Sequence, residues 1–246
     1  MNIVPLTAFS DNYIWLLQGE DFMAVVDPGA AGPVMTALEK KSHILDAILL
    51  THHHSDHTGG VRELREKYGA KVYGPAAEKQ KMPPLDVFLA DGEGFALGGE
   101  HFTVIETPGH TLGHICYYAQ NSGQNSGVVF TGDTLFSLGC GRVFEGTAAQ
   151  MFNSLQKLEK LPPNTEVYCG HEYTLSNAAF AQSVVAQSIV AETPFLTARV
   201  QQVKTLREQG QPTIPVSLEE EEKTNPFLLA QTVEEFTRLR LAKDRF

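Results

Sequence analysis

The chain has 246 residues, of which 42% are apolar and 20% charged, the composition of an ordinary folded protein and not of a disordered one. A formal net charge of −10 argues against a general nucleic-acid binder, and no run of about 18 apolar residues is present that would span a membrane. The length allows one large domain, or a main domain with a small appendix.

The N-terminal part predicts short strands at Asn2 to Leu6, Tyr13 to Leu17 and Met23 to Val26. Each ends in turn chemistry, at Ser10-Asp11-Asn12, Gly19-Glu20-Asp21 and Asp27-Pro28-Gly29, so the chain opens as a meander. Helical spacing of Val34, Leu38 and Lys41 predicts a helix from Gly32 to Lys41. The apolar run Ala47 to Leu50 has the look of a buried strand, and Val61, Leu64 and Tyr68 mark a helix after it. A short strand returns at Lys71 to Tyr73, and Glu78 to Pro84 reads as a loop. Strands follow at Glu100 to Glu106, Ile115 to Tyr118 and Val128 to Phe130, the last two separated by an Asn/Ser/Gly loop from Gln120 to Gly127. A helix is expected near Ala148 to Leu161, and a last strand at Thr165 to Cys169. From Thr174 the pattern is helical, at Leu175 to Val190, Thr193 to Gln209 and Val233 to Asp244, with Ser217 to Glu220 fitting a capping box. The change of character places a boundary near residue 172, between an α/β domain (1–171) and a helical domain (172–246).

The start, Met1 to Leu6, lacks the basic region and apolar core of a secretory signal. Cys116, Cys140 and Cys169 are an odd, scattered set that makes no disulfide framework, and all three read as packing residues. The expectation is a cytoplasmic monomer without membrane or nucleic-acid partners.

The chemistry centres on Thr51-His52-His53-His54-Ser55-Asp56-His57-Thr58-Gly59-Gly60, between the Ala47 to Leu50 strand and the following helix. Alternate residues of an extended segment point the same way, so His52 and His54 can close on one metal ion. Asp56 and His57 then turn into the helix start and face a second position nearby. A histidine-rich tract can also be a solvated loop, but its place between a hydrophobic strand and a Gly-Gly helix entry argues for metal. Gly109-His110, Gly132-Asp133 and Gly170-His171 repeat one arrangement, a Gly beside a single His or Asp after an apolar strand. A lone His after a Gly is more often a capping or core residue; it is the repetition at strand ends that points to ligands. Seven donors, His52, His54, Asp56, His57, His110, Asp133 and His171, are too many for one tetrahedral ion and suit two. The simplest division gives His52, His54 and His110 to one ion, Asp56, His57 and His171 to the other, and Asp133 to both. The donors accept zinc, iron or manganese, with zinc expected first. His43, His53, His101 and His114 remain as surface or supporting residues.

The Thr-His-x-His-x-Asp-His stretch with its downstream Gly-His, Gly-Asp and Gly-His resembles the metallo-β-lactamase superfamily, which implies an αββα sandwich. Further motifs narrow the resemblance: Asp11-Asn12-Tyr13, Thr107 to Thr111, Gly113-His114, Phe130 to Phe136, Gly139 to Arg142, Cys169 to Thr174, Asn225-Pro226-Phe227 and Arg240 to Asp244. Together they resemble the glyoxalase II (hydroxyacylglutathione hydrolase) family along the whole chain, including the helical tail. The resemblance implies hydrolysis of the thioester S-D-lactoylglutathione to D-lactate and glutathione, the second step of methylglyoxal detoxification. It also implies attack by a hydroxide shared between two ions, with Asp56 and Asp133 at the reacting centre. Arg240 and Lys243 would bind the glycine carboxylate of glutathione, and Arg142 and Tyr173 would contact the peptide. As basic residues near a helix C-terminus, Arg240 and Lys243 also have a purely structural reading. Some family members carry Lys at the position of Arg142 and Tyr at that of Phe144, where the missing hydroxyl removes one possible hydrogen bond to substrate.

A rival within the fold is a mononuclear-iron persulfide dioxygenase, which predicts one metal per chain and oxygen uptake instead of thiol release. A redox di-iron protein would need a flavin domain, for which the tail is too short. A non-catalytic metal-binding module would bind metal without turnover.

Overall fold

The computed structural model describes all residues of the chain except 40–43, 121–126 and 188–192. One six-stranded sheet runs in chain order: β1 (Asn2–Ala8), β2 (Asn12–Gln18), β3 (Met23–Val26), β4 (Ala47–Leu49), β5 (Lys71–Pro75) and β6 (Val87–Leu89). The first three strands are antiparallel, and β3 to β6 are parallel. Helices α1 (Ala31–Leu38), α2 (Ser55–Thr58) and α3 (Val61–Tyr68) lie in its crossovers. The second sheet is built from β7 (Gly94–Leu97), β8 (Glu100–Glu106), β9 (Ile115–Gln120), β10 (Gly127–Gly132), β13 (Glu166–Cys169) and β14 (Val216–Ser217), with the ribbon β11 (Leu135–Phe136) and β12 (Gly139–Cys140) beside it. Helix α4 (Ala148–Leu158) precedes β13, and the tail carries α5 (Thr174–Ala186), α6 (Pro194–Glu208), α7 (Leu218–Thr224) and α8 (Val233–Asp244).

The layering follows from strand periodicity. Tyr13, Trp15 and Leu17 of β2, Ala24 and Val26 of β3, and Ala47 and Leu49 of β4 face the core between the sheets. Their alternates Ile14, Leu16, Met23, Val25 and Ile48 face a separate apolar layer with Val34 and Leu38 of α1 and Val61 and Leu64 of α3. A strand buried on both faces has no polar alternation, which is why these strands read as continuous apolar runs. On the other side Met151, Phe152, Leu155 and Leu158 of α4 pack into the main core, completing the αββα order.

The tail is bound into this body. β14 pairs antiparallel with β13, and Phe227, Phe236 and Leu239 belong to the main core. The buried Glu221 carboxylate accepts hydrogen bonds from Ser137 Oγ (2.7 Å), Leu138 N (2.8 Å) and Asn225 Nδ2 (2.9 Å), so one acidic side chain ties α7 to the β11–β12 turn.

Several expected boundaries shift. The first helix starts at Ala31 and ends at Leu38, while Lys41 and His43 lie outside the described residues. The interior of the Gln120 to Gly127 loop and the end of the Leu175 to Val190 helix also lie outside them; α5 itself runs from Thr174 to Ala186. Glu78 closes a 3-10 turn (Ala76–Glu78) before its loop. β6, β7, β11, β12 and β14 are two to four residues long, too short to display a period, and their pairing comes from neighbouring strands. The Ser217 hydroxyl accepts the Glu220 amide at 3.2 Å, so this serine caps α7 and supplies the serine half of the expected capping box.

Candidate metal centre

Each chemically active segment leaves the end of a strand. Thr51 to His57 follow β4, His110 lies in the β8–β9 connection, Asp133 follows β10 and His171 follows β13. The glycines beside two of them have a steric role. Gly132 has φ +46°, and a Cβ there would lie 2.5 Å from Thr51 Oγ1. A Cβ on Gly170 would lie 2.7 Å from both Asp133 Oδ1 and His57 Cε1, so only glycine allows this strand end to close on its neighbours.

The seven expected donors converge. Ligand atoms of His52, His54 and His110 lie within 4.8 Å of one another, as do those of Asp56, His57 and His171. Asp133 stands between the two trios: Oδ1 is 3.3 Å from His57 Nε2 and 3.4 Å from His171 Nε2, while Oδ2 is 3.4 Å from His110 Nε2. Asp56 Oδ2 lies 3.5 Å from His57 Nε2 and 3.4 Å from His171 Nε2, and accepts a hydrogen bond from Asn12 Nδ2 at 3.0 Å.

The outer nitrogens are held so that the inner ones face the centre. His57 Nδ1 donates to Asp27 Oδ2 (3.0 Å), His171 Nδ1 to Asp11 Oδ1 (2.8 Å) and His110 Nδ1 to the Arg142 carbonyl (2.8 Å). Thr51 Oγ1 donates to Asp27 Oδ2 at 2.6 Å and accepts from His52 Nδ1 at 3.0 Å. These partners place the proton on Nδ1 and leave an Nε2 lone pair on His52, His57, His110 and His171. His54 faces the centre through Nδ1, 3.0 Å from His110 Nε2. Among the described residues, His52 Nε2 and Asp133 Oδ1 are buried with no hydrogen-bond partner. Orphaned acceptors and facing imidazole nitrogens are what a cation among them would satisfy, and the residues fit divalent metal.

The charge distribution fits as well. Burial lowers the pKa of His52, His54 and His110 and sets that trio neutral. Burial also opposes charge on His57 and His171, but Asp133 outweighs it, together with Asp27 for His57 and Asp56 for His171; His57 is raised and His171 is pushed up to about 10. Hydrogen bonds from His171 and His57 hold Asp56 well below the usual carboxylate range against its burial. Burial would raise Asp133, but the His57 and His171 side chains hold it low. A cation at this position takes over the electrostatic role of those protons.

The sequence reading did not identify Asp27, Asp11 or Asn12 as partners of the site. Asp27 sits at φ +51° after β3, and Asp11 and Asn12 sit in the β1–β2 turn. The signals present are Val26-Asp27, an acidic residue directly after an apolar strand, and the Asp11-Asn12-Tyr13 motif, which the resemblance includes without assigning it a role. His114, expected to support a neighbour, is fully buried and accepts the Asp133 amide at Nε2 (3.1 Å), with Nδ1 facing the Thr107 and Thr134 hydroxyls. Ligand atoms of His53, Glu78 and Glu145 also lie within 4.8 Å of one another, but His53 bonds Glu78 Oε2 at 2.8 Å and Lys81 Nζ pairs with Glu145 at 2.6 Å, so this group is an ion-pair network. His101 lies exposed on β8.

A cavity of about 340 Å³ opens from the centre. His110 and Asp133 of the centre line it, together with the cations Arg142, Arg240 and Lys243 and the rings of Tyr173 and Phe144. Tyr173 stacks on His171 with ring centroids 4.6 Å apart and planes 7° from parallel. Phe144 is 60% exposed and its ring lies 5.2 Å from that of His110, so the position lacking a hydroxyl forms an apolar lip over the donors. The three cysteines are free and buried; Cys140 lies on the cavity wall with its sulfur 3.6 Å from Arg240 Nη1, and burial pushes its thiol up to about 11, which favours the unreactive thiol form.

Residues 8–171 match the family model described as metallo-beta-lactamase superfamily, and residues 172–246 match the one described as hydroxyacylglutathione hydrolase C-terminus. A hydroxyacylglutathione hydrolase of Acidiphilium cryptum is 47% identical over 99% of this chain and 95% of its own length. One from Photobacterium profundum is 49% identical over 93% of this chain and 86% of its own. Among solved structures, ETHE1 from Myxococcus xanthus superposes with a TM-score of 0.73 at 27% identity, covering 98% of this chain and 90% of that one. TTHA1623 in a di-iron-bound form superposes with a TM-score of 0.56 at 32% identity, covering 70% of this chain and 92% of that one. With both parts of the chain matched and relatives near half identity over its full length, the chain belongs to the hydroxyacylglutathione hydrolase (glyoxalase II) family of the metallo-β-lactamase superfamily.

Proposed function

We propose that the chain hydrolyses S-D-lactoylglutathione and related 2-hydroxyacyl thioesters of glutathione to the 2-hydroxy acid and free glutathione. The observation that carries this reading is one cavity lined both by His110 and Asp133 of the imidazole–carboxylate centre and by the cations Arg240 and Lys243. That arrangement suits a substrate with a reactive acyl group at one point and a carboxylate some distance away.

His52, His54 and His110 would hold one divalent ion, Asp56, His57 and His171 a second, and Asp133 would share its two oxygens between them. Such ions supply Lewis acidity, polarising the thioester carbonyl and bringing the pKa of a water toward about 7. Zinc is the ion we assign, with iron and manganese compatible with the same donors. Asp56 Oδ2, fixed by Asn12, orients the attacking water from the side of the His57–His171 trio. Asp133 holds the two trios in register, and its own backbone is held by His114. Thiolate is a stable leaving group, so no side chain is required to donate a proton to it. Arg142 and Tyr173 contact the peptide, and Arg240 and Lys243 receive its glycine carboxylate.

We assign residues 1–171 to the chemistry and 172–246 to substrate binding, and we infer a cytoplasmic monomer, supported by the three free cysteines. No helix among the described residues is long and apolar enough to cross a membrane.

The test combines metal analysis of the purified protein with a thiol-release assay on S-D-lactoylglutathione. The expected result is two metals per chain and stoichiometric thiol without oxygen consumption. One iron per chain with oxygen uptake on a persulfide and no thiol release would replace this reading with the dioxygenase one.

A further inference from the structure

Arg142, Arg240 and Lys243 are the cations that line the cavity, and two of the three already have a carboxylate partner. Asp244 Oδ1 accepts a hydrogen bond from Arg240 Nε at 3.1 Å, and the same oxygen lies 2.9 Å from Arg240 Nη2 and 3.4 Å from Arg142 Nε. Arg240 is anchored from its other side, where Nη1 donates to the Cys140 carbonyl at 2.9 Å. Its Nε/Nη2 edge, the one best shaped to grip a carboxylate, is therefore occupied by a residue four positions along its own helix. Lys243 Nζ lies 3.3 and 3.4 Å from the two oxygens of Ser176 and 5.2 Å from the Phe180 and Phe246 rings, and has no carboxylate partner among the described residues.

The position of Asp244 is unusual for helix chemistry. It is the last residue of α8, where the helix dipole presents its negative end and an acidic side chain is disfavoured. The two guanidiniums compensate for that, and the carboxylate lowers the charge of the three lining cations to a net of two.

We propose that Asp244 is a built-in counter-carboxylate for the arginine pair, and that it sets how tightly the cavity holds carboxylate-bearing ligands. The proposal rests on the glutathione-thioester reading. It gives substrate and thiol product the same dependence on Asp244, because both carry the same glycine carboxylate. An arriving carboxylate meets Lys243 first and must share or displace Asp244 at Arg240, so binding is weaker than three unopposed cations would give. The same competition assists release of glutathione after hydrolysis.

The test compares the metal-loaded wild-type protein with Asp244→Asn, in which the amide keeps the shape and an acceptor oxygen but removes the charge. KM for S-D-lactoylglutathione and the inhibition constant for glutathione are expected to fall together, by about three- to tenfold, and to depend more steeply on salt. With the glycine carboxylate of the thioester converted to an amide, the two proteins should have equal KM. If KM and the inhibition constant stay unchanged or rise in Asp244→Asn while hydrolysis continues, Asp244 is structural and the proposal fails. If the Asn variant does not fold, Asp244→Ser carries the same comparison. Absence of thiol release by the metal-loaded wild type would overturn the functional reading itself, and is decided before any variant is compared.

Discussion

Asp27 Oδ2 accepts a hydrogen bond from His57 Nδ1 at 3.0 Å across 30 residues of chain. The same carboxylate accepts Thr51 N at 2.8 Å and Thr51 Oγ1 at 2.6 Å, so one side chain at the end of β3 fixes both ends of the Thr51 to His57 stretch. Its partners account for the tautomers of His57 directly and of His52 through Thr51. Asp27→Asn replaces one acceptor oxygen with a donor that cannot face both Thr51 and His57 Nδ1–H. The expected result is about a 10- to 100-fold loss of metal affinity, largest at the Asp56, His57 and His171 position. Equilibrium titration against a chelator of known affinity measures it, and affinity equal to wild type would show that Asp27 does not orient His57.

Asp133 tests the pairing of the two positions. Its oxygens point to opposite trios, one toward His57 and His171 and the other toward His110. Asp133→Ala leaves facing imidazoles with no anion between them, and both metals and thioester hydrolysis should be lost together. Elemental analysis alongside turnover decides this. A variant that keeps one ion and a tenth or more of its activity, on the order of 1.4 kcal/mol in the barrier, would mean the carboxylate is not shared.

The donors were legible in the sequence for a local reason. Each lies at the end of an apolar strand, and beside His110, Asp133 and His171 stands a glycine whose absence of Cβ the structure uses at Gly132 and Gly170. Their supporting partners carry no such mark. Asp27 reads as the start of an Asp-Pro-Gly turn, and Asp11 as a hairpin turn residue; both become partners only when strands distant in sequence are brought together. The fold divides in the same way. β2, β3 and β4 are visible because Tyr13 to Leu17 of β2 and every residue of β3 and β4 are apolar and both faces are covered, whereas β14 is two residues in a proline-rich connection whose strand character comes from β13. The capping serine of α7 is visible because its signal lies within the four residues Ser217 to Glu220.

Arg240 couples binding to stability. Besides facing the cavity, its guanidinium bonds the Cys140 carbonyl and Asp244 and lies 5.3 Å from the Phe227 ring. Arg240→Ala should therefore raise KM for the glutathione thioester while leaving the metal content unchanged. It should also cost about 1–3 kcal/mol of stability through the buried carbonyl left without its donor. Steady-state kinetics and denaturant unfolding on the same preparation separate the two effects. An unchanged KM would remove Arg240 from the carboxylate site, whatever the loss of stability.

Lys243 gives the site a pH dependence whose sign follows from its surroundings. Burial lowers its pKa first and the neighbouring Arg240 charge adds to this, bringing it to about 8. Below that value the side chain is charged and can receive a carboxylate; above it the charge is lost. Binding of S-methylglutathione, which carries the carboxylates without a titrating thiol, should weaken several-fold as pH rises from about 7.5 to 9.5. Lys243→Arg keeps its charge across this range and should flatten the part of the curve that the lysine contributes. Folding has the opposite sign: a lysine lowered from about 10.4 in the unfolded chain disfavours the native state while protonated, so stability contributed here rises with pH between about 8 and 10.4. Lys243→Met should lose both the binding slope and that rise. If wild type, Lys243→Arg and Lys243→Met share one pH profile for binding, Lys243 does not meet the ligand carboxylate.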